Sequence, residues 1–258
     1  MGSRTILLID VGLEPMDLLD ALARRLDYRV VRAKTTDEAV QILMEPRFAI
    51  GCAVVPPDLP VPNLGRAIAA LREAARCKDL PFLVAGSSRT EDGGRALAAA
   101  GVRLPLWEPI DAHTLRFQLN RALAGGEVFR RRRGARRVPS NARTVVHSRG
   151  RTKEARLYTI SAQGAFLATA MPSLRGTEVE LEVSGFASCG KLAGQVVMTN
   201  VAGNLMKKSL PAGMAVRFSR LRVEEHAALE LHVERKLRRL ELSLISRRLR
   251  RGVRAPRR

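Results

Sequence analysis

Hydrophobic periodicity changes twice along this chain, and those changes limit its fold more than any other feature. From Arg4 to Ala124, short apolar runs alternate with segments whose apolar residues recur every three or four positions. After Gly125-Gly126 the period becomes two, and from Val223 it returns to the helical spacing. A period of 3.6 places side chains on one face of a helix, and a period of two places them on one face of a strand.

In the first region, Ile6–Ile9, Tyr28–Val31, Phe48–Val55, Pro81–Ala85 and Val102–Trp107 read as strands. The intervening helices are marked by Leu18, Leu19, Leu22 and Leu26, then by Asp37–Met44, Leu64–Ala75, Arg95–Ala100 and Asp111–Leu123. Thr36 is the expected N-cap of the second helix. Five strand–helix units in about 120 residues predict an α/β domain, a doubly wound parallel sheet with helices on both faces.

Gly125-Gly126 marks the expected boundary. Beyond it, segments 144–149, 154–161, 164–169, 177–183, 194–199 and 214–219 read as strands. In the fourth of these, Val179, Leu181 and Val183 face one way and Glu178, Glu180 and Glu182 the other. Short strands with glycine-containing turns predict a small antiparallel β-barrel. Leu229, Val233, Leu237, Leu240 and Leu244 then lie on one stripe of an amphipathic helix over 223–250. That stripe either covers the barrel or joins two copies of the chain. The last eight residues read as disordered. The expected organisation is therefore 1–125, 126–221 and 222–258.

Charge separates the same halves. Residues 1–125 hold 16 Lys and Arg against 15 Asp and Glu, and residues 126–258 hold 29 against 10. The second half thus carries +19 of the chain's +20 and calls for an anionic partner. Its densest segments are Arg130–Arg137 and the tail 247–258. A nucleic acid would satisfy the charge alone. Yet no helix-turn-helix or aromatic-interleaved strand is evident, and with 4% aromatics a base-stacking platform finds little support.

Enzymatic chemistry finds no foothold in the sequence. His113, His147, His226 and His232 lie apart, and no metal-ligand spacing, phosphate-cradling glycine loop or nucleophile elbow is present. Cys52, Cys77 and Cys189 make no disulfide framework or zinc spacing and read as small buried apolar residues. Residues 4–10 form too short an apolar run for a signal peptide, and no run reaches the roughly 18 residues of a membrane span. The expectation is a cytoplasmic protein without a metal or cofactor.

The first region resembles a response-regulator receiver domain over residues 4–124. The resemblance rests on Ile6–Asp10 at the first strand end and on Trp107-Glu108-Pro109 at the fifth. It implies an acidic pair after strand one, a phospho-accepting aspartate after strand three and a lysine after strand five. Here Val11 follows Asp10, Pro56 stands at the acceptor position with Asp58 two residues late, and Glu108 replaces the lysine. A lone carboxylate holds magnesium poorly, and a glutamate repels a phosphoryl group. The expectation is a degenerate receiver that docks a protein partner without being phosphorylated.

The second region resembles a PilZ domain, the bacterial receptor for cyclic di-GMP, over residues 127–221. Three motifs carry the likeness. Arg133 and Arg137 match an Arg-x-x-x-Arg pair, with Arg132 before it; Thr159-Ile160-Ser161-Ala162-Gln163-Gly164 stands where the family has Asp/Asn-x-Ser-x-x-Gly; and residues 213–218 match a late Gly-x-x-Val-x-Phe strand. The resemblance implies that Arg132, Arg133, Arg137, Thr159, Ser161 and Gly164 bind cyclic di-GMP. Guanidinium forks suit both phosphate oxygens and guanine O6 and N7, Ser161 would offer a hydroxyl, and Gly164 would permit a tight turn. Thr159 departs from the pattern, because a hydroxyl accepts more weakly than a carboxylate. Arg217 reads as an outward strand residue. The implied function is a non-catalytic signalling adaptor acting on motility, polarity or surface polysaccharide. The rivals are a PilZ-fold adaptor without nucleotide and a nucleic-acid binder.

Overall fold

The computed structural model describes residues 4–10, 12, 16–59, 63–87, 91–124, 135–186 and 190–242. Its first half is built from β1 (Thr5–Ile9), α1 (Met16–Arg25), β2 (Arg29–Ala33), α2 (Thr36–Met44), β3 (Ile50–Val55), α3 (Leu64–Ala74), β4 (Phe82–Gly86), α4 (Glu91–Ala99), β5 (Leu104–Trp107) and α5 (Ala112–Leu123). All strand pairs in this sheet are parallel, in the order β2-β1-β3-β4-β5. That order is one of the two common doubly wound arrangements, the one adopted by receiver folds. Alternation along β1 sorts the core: Ile6 and Leu8 pack under α1 and α5, and Leu7 and Ile9 pack under α2, α3 and α4.

Local chemistry moves three of the expected boundaries. The N-cap of α2 is Thr35, whose hydroxyl accepts the Glu38 amide at 3.1 Å, and Thr36 is the first helical residue. Strand β3 starts at Ile50 because Pro46–Phe48 forms a single 3-10 turn and Ala49 adopts a left-handed φ of 44°. Helix α4 begins at Glu91 and so includes Gly93 and Gly94, which weaken the helical pattern in sequence.

The second half holds β6 (Val138–Pro139), β7 (Arg143–Ser148), β8 (Arg151–Ser161), β9 (Gly164–Ala168), β10 (Glu178–Val183), β11 (Lys191–Asn200), β12 (Gly213–Phe218) and α6 (Val223–Arg239). Strands β7 to β12 close into a six-stranded antiparallel barrel, because β8 pairs with both β7 and β9. The short β6 continues the β7 side of β8 by pairing Val138 with Ile160 and Pro139 with Thr159. Leu157, Leu167, Leu181, Val196 and Val216 fill the barrel. Leu229, Val233 and Leu237 of α6, with Leu240 after it, close one side of that same core. The described part of the stripe therefore covers the barrel, the first of its two expected roles; Leu244 lies outside the described residues.

The two halves are tied together by buried polar contacts and shared apolar ones. Phe117 of α5 joins the barrel core. The Gln118 amide donates to the carbonyls of Pro105 and Leu240 at 2.9 and 3.0 Å. Arg121 ion-pairs with Glu241, and the Leu242 amide donates to the Arg103 carbonyl at 3.0 Å. Leu242 packs against the core beneath α4.

Cys52 is buried in β3, and burial pushes its thiol far above the usual range. Cys77 is exposed, contrary to the expectation of burial, and Cys189 lies outside the described residues. Among the described residues, no helix is long and apolar enough to cross a membrane.

Candidate functional site

Strand β6 sets the site. Val138 and Pro139 are fully enclosed between β8 and the barrel core, which fixes the chain just after the arginine cluster. Arg137 is thereby delivered to the wall of a cleft of about 850 Å³ that Thr159 also lines. Arg136, its neighbour, points the other way and ion-pairs with Glu234 of α6 at 2.8 Å. Arg132 and Arg133 lie outside the described residues.

Ser161 and Gly164 have structural contacts of their own at the β8–β9 turn. Ser161 is wholly buried; its hydroxyl donates to the Gly164 carbonyl at 3.0 Å and accepts the Gln163 amide at 3.3 Å. It shapes the β8–β9 turn. Gly164 has no left-handed backbone, so the tight-turn role is corrected. A Cβ there would lie 2.3 Å from the Val216 carbonyl oxygen, so Gly164 permits the close approach of β9 and β12. Gly213 does the same at the opposite end of that pair, where a Cβ would meet the Leu167 carbonyl oxygen at 1.9 Å. Arg217 is exposed, as the sequence suggested.

The cleft runs between the barrel and the parallel-sheet domain. Four cations line it, Arg4, Arg137, Lys207 and Lys208, and no carboxylate among the described residues does. Aromatic and thioether groups form an apolar part of its wall: Phe117, Tyr158, Phe166, Met198 and Met206. Tyr158 is held edge-on to Phe166 and to His113, with centroids at 5.9 and 5.3 Å. A concave, largely apolar wall with a few convergent charged groups is the usual form of a small-molecule site.

Residues 130–235 match the family model described as "PilZ domain". The barrel is a PilZ domain. No curated protein matches the sequence. Among solved structures, the chain is similar to the chemotaxis response regulator CheY4 of Vibrio cholerae, at 21% identity over 47% of this chain and 99% of that one, with a TM-score of 0.40. It is similar to a putative response regulator from Chloroflexus aurantiacus at 22% identity, over 47% and 98%, with a TM-score of 0.42. It is also similar to the Bacillus subtilis inhibitor of motility MotI/DgrA at 15% identity, over 42% and 52%, with a TM-score of 0.34.

The receiver-like domain contributes two polar residues to the cleft beside the PilZ domain, and the sequence reading missed both. The Arg4 guanidinium lies 4.7 Å from the Tyr28 ring centroid and donates to the Lys208 carbonyl at 3.4 Å. Asn120 accepts from the Tyr28 hydroxyl at 3.0 Å and donates to the Ser209 carbonyl at 2.7 Å. Burial raises the Tyr28 hydroxyl pKa above its ordinary value, which keeps that donor protonated. Lys207 and Lys208 were also missed. Their adjacency in a loop between two strands was the available signal.

The carboxylates at the end of β1 and on α1 are engaged by the protein's own ion pairs. Arg32 bonds Asp10 and reaches Asp17 and Asp20 at 2.7 and 3.7 Å. Burial acts to raise the Asp10 pKa, but the Arg32 hydrogen bond, the Gly12 amide and the charges of Arg32 and Lys34 outweigh it and hold the carboxyl below its ordinary range. At the end of β4, Ser87 donates to Glu108 at 2.7 Å. Among the described residues, no group of three or more His, Cys, Asp or Glu is placed to hold a metal.

Proposed function

We propose that the chain is a non-catalytic signalling adaptor that binds cyclic di-GMP in the cleft between its receiver-like and PilZ domains. The observation that supports this most is the meeting of Arg137 and Thr159, two motif positions distant in sequence, in one cationic cleft without a carboxylate among its described lining residues. Guanidinium and ammonium groups neutralise the two phosphates. Bound nucleotide then alters docking of a protein partner that controls motility, polarity or surface polysaccharide. The receiver-like domain offers a docking surface and is not phosphorylated, since Pro56 and Glu108 stand where an acceptor and a lysine are needed.

A second reading, a PilZ-fold adaptor without nucleotide, draws on one observation: the Ser161 hydroxyl is turned inward and already engaged at both ends. Calorimetric titration of the full chain with cyclic di-GMP, with a DNA duplex as competitor, separates the readings. Saturable heat unaffected by the duplex is expected. Absence of heat with the nucleotide moves the function to the adaptor reading, and displacement by duplex moves it to nucleic acid.

A further inference from the structure

The loop between β11 and β12 carries Lys207 and Lys208 to the cleft, and both are exposed and line it. Neither has a carboxylate partner among the described residues. Two amides hold this loop from opposite domains. Asn200, wholly buried in the PilZ domain, donates to the carbonyls of Lys207, Leu210 and Pro211 at 3.1, 3.2 and 2.9 Å and accepts the Lys207 amide at 3.0 Å. Asn120 of the receiver-like domain grips the Ser209 carbonyl, and Arg4 grips that of Lys208. Spending the donors of one buried amide on three backbone carbonyls fixes a loop that has no ladder of its own beyond a single bridge between Val201 and Asn204. What the two braces hold in place is a pair of ammonium groups, without a carboxylate partner among the described residues, at the wall of the cleft.

We propose that Lys207 and Lys208 form a second cationic arm for the phosphates of the nucleotide, and that Asn120 is a positioning residue through which the receiver-like domain holds that arm. The proposal rests on the cleft being the cyclic di-GMP site. Under it the receiver-like domain is part of the binding device. Affinity for nucleotide and docking of the two domains are then thermodynamically linked, because a ligand favours whichever domain arrangement presents the lysines.

The test is calorimetry with cyclic di-GMP on the full chain at two salt concentrations, using Arg137→Ala, Lys207→Gln with Lys208→Gln, Asn120→Ala and the triple combination. Glutamine keeps length and polarity while removing charge. The paired lysine variant is expected to bind about five- to tenfold more weakly, with a flatter salt dependence and an unchanged melting temperature, since exposed charges act modestly and through a screened field. Asn120→Ala is expected to lower affinity severalfold in the wild-type background and not at all in the lysine variant. A merely structural role would give the same loss in both backgrounds. If Arg137→Ala weakens binding while the lysine variant equals wild type, the second arm is wrong and the cleft reading stands. An Asn120 loss that persists without the lysines overturns the brace. Failure of wild type to bind overturns the cleft reading, and this inference with it.

Discussion

In the receiver-like half, the carboxylates that could have met a cation are already engaged: Arg32 lies among Asp10, Asp17 and Asp20, and Ser87 is bonded to Glu108. In the cleft of the PilZ half, four cations converge and none of the described lining residues is a carboxylate. The first half has a net charge of +1 and the second +19. Local satisfaction explains the contrast better than net charge does. A site whose charges are neutralised from within has little left to offer a ligand, whereas like charges gathered in a cleft without a lining carboxylate favour the arrival of a counter-charge. The cleft, and not the carboxylate cluster at the end of β1, is therefore where an added anion would change the local charge balance most.

The largest effect should come from reversing a charge in the open site. Arg137→Glu removes a charge-assisted contact worth roughly 1.5–3 kcal/mol and places a carboxylate among the ligand's phosphates. Binding of cyclic di-GMP should fall by more than about a hundredfold in calorimetry, with the barrel still folded by circular dichroism. Preserved affinity would mean that the cleft is not the site. The matching experiment on the closed site is expected to read nothing. Incubation with a labelled small-molecule phosphodonor and magnesium should leave residues 1–125 without label, and acid-labile phosphate on Asp10 or Asp58 would erase the contrast.

Arg32→Ala probes the closed site through stability. It leaves three acidic side chains facing one another, at a cost of about 1 kcal/mol near neutral pH, or a few degrees of melting temperature. The sign with pH follows from Asp10. Its folded pKa lies below the ordinary value, so its stabilising contribution is present above that ordinary value and is lost as pH falls through the folded one. The gap between wild type and variant should therefore narrow as pH drops below about 4. A gap that stayed constant in acid would show that Arg32 acts by packing and not by pairing. Nucleotide affinity should not change in this variant.

Legibility in the sequence divides along the same line. Both architectures follow from periodicity, because a strand–helix repeat and a period-two meander each bury their apolar sides in few ways. Boundaries were lost where a single residue decided them, as with left-handed Ala49 or the cap at Thr35. Arg137 and Thr159, which line one cleft, were singled out in the sequence through motif resemblance. The structural contacts of Ser161 and Gly164 were not legible, because a hydroxyl bonded within its own turn and a glycine pressed against a neighbouring strand have the same letters as ligand contacts. Arg4 and Asn120 were invisible for a different reason: their partners lie 204 and 89 residues away, and only the docking of two domains brings them to Lys208 and Ser209.

The smallest expected effect concerns Thr159, where the open site departs from its family. Thr159 is 5% exposed, on β8 opposite Pro139 and Phe166, and it lines the cleft with Arg137. Its hydroxyl is a modest acceptor for guanine N–H groups. Thr159→Asn supplies a carbonyl acceptor without charge, and the net worth of one such bond is about 1 kcal/mol, so a gain of about three- to fivefold is expected. Thr159→Asp supplies a stronger acceptor but must bury a carboxylate on a strand, and that desolvation opposes the gain. The nearby cations offset part of this cost, so the aspartate variant should bind no more weakly than wild type, and its advantage should shrink with added salt while that of asparagine does not. Loss of affinity in both variants would show that the position does not meet a guanine edge. The cleft would then be shaped around threonine for a different occupant, and the two halves of the molecule would both be closed to the nucleotide.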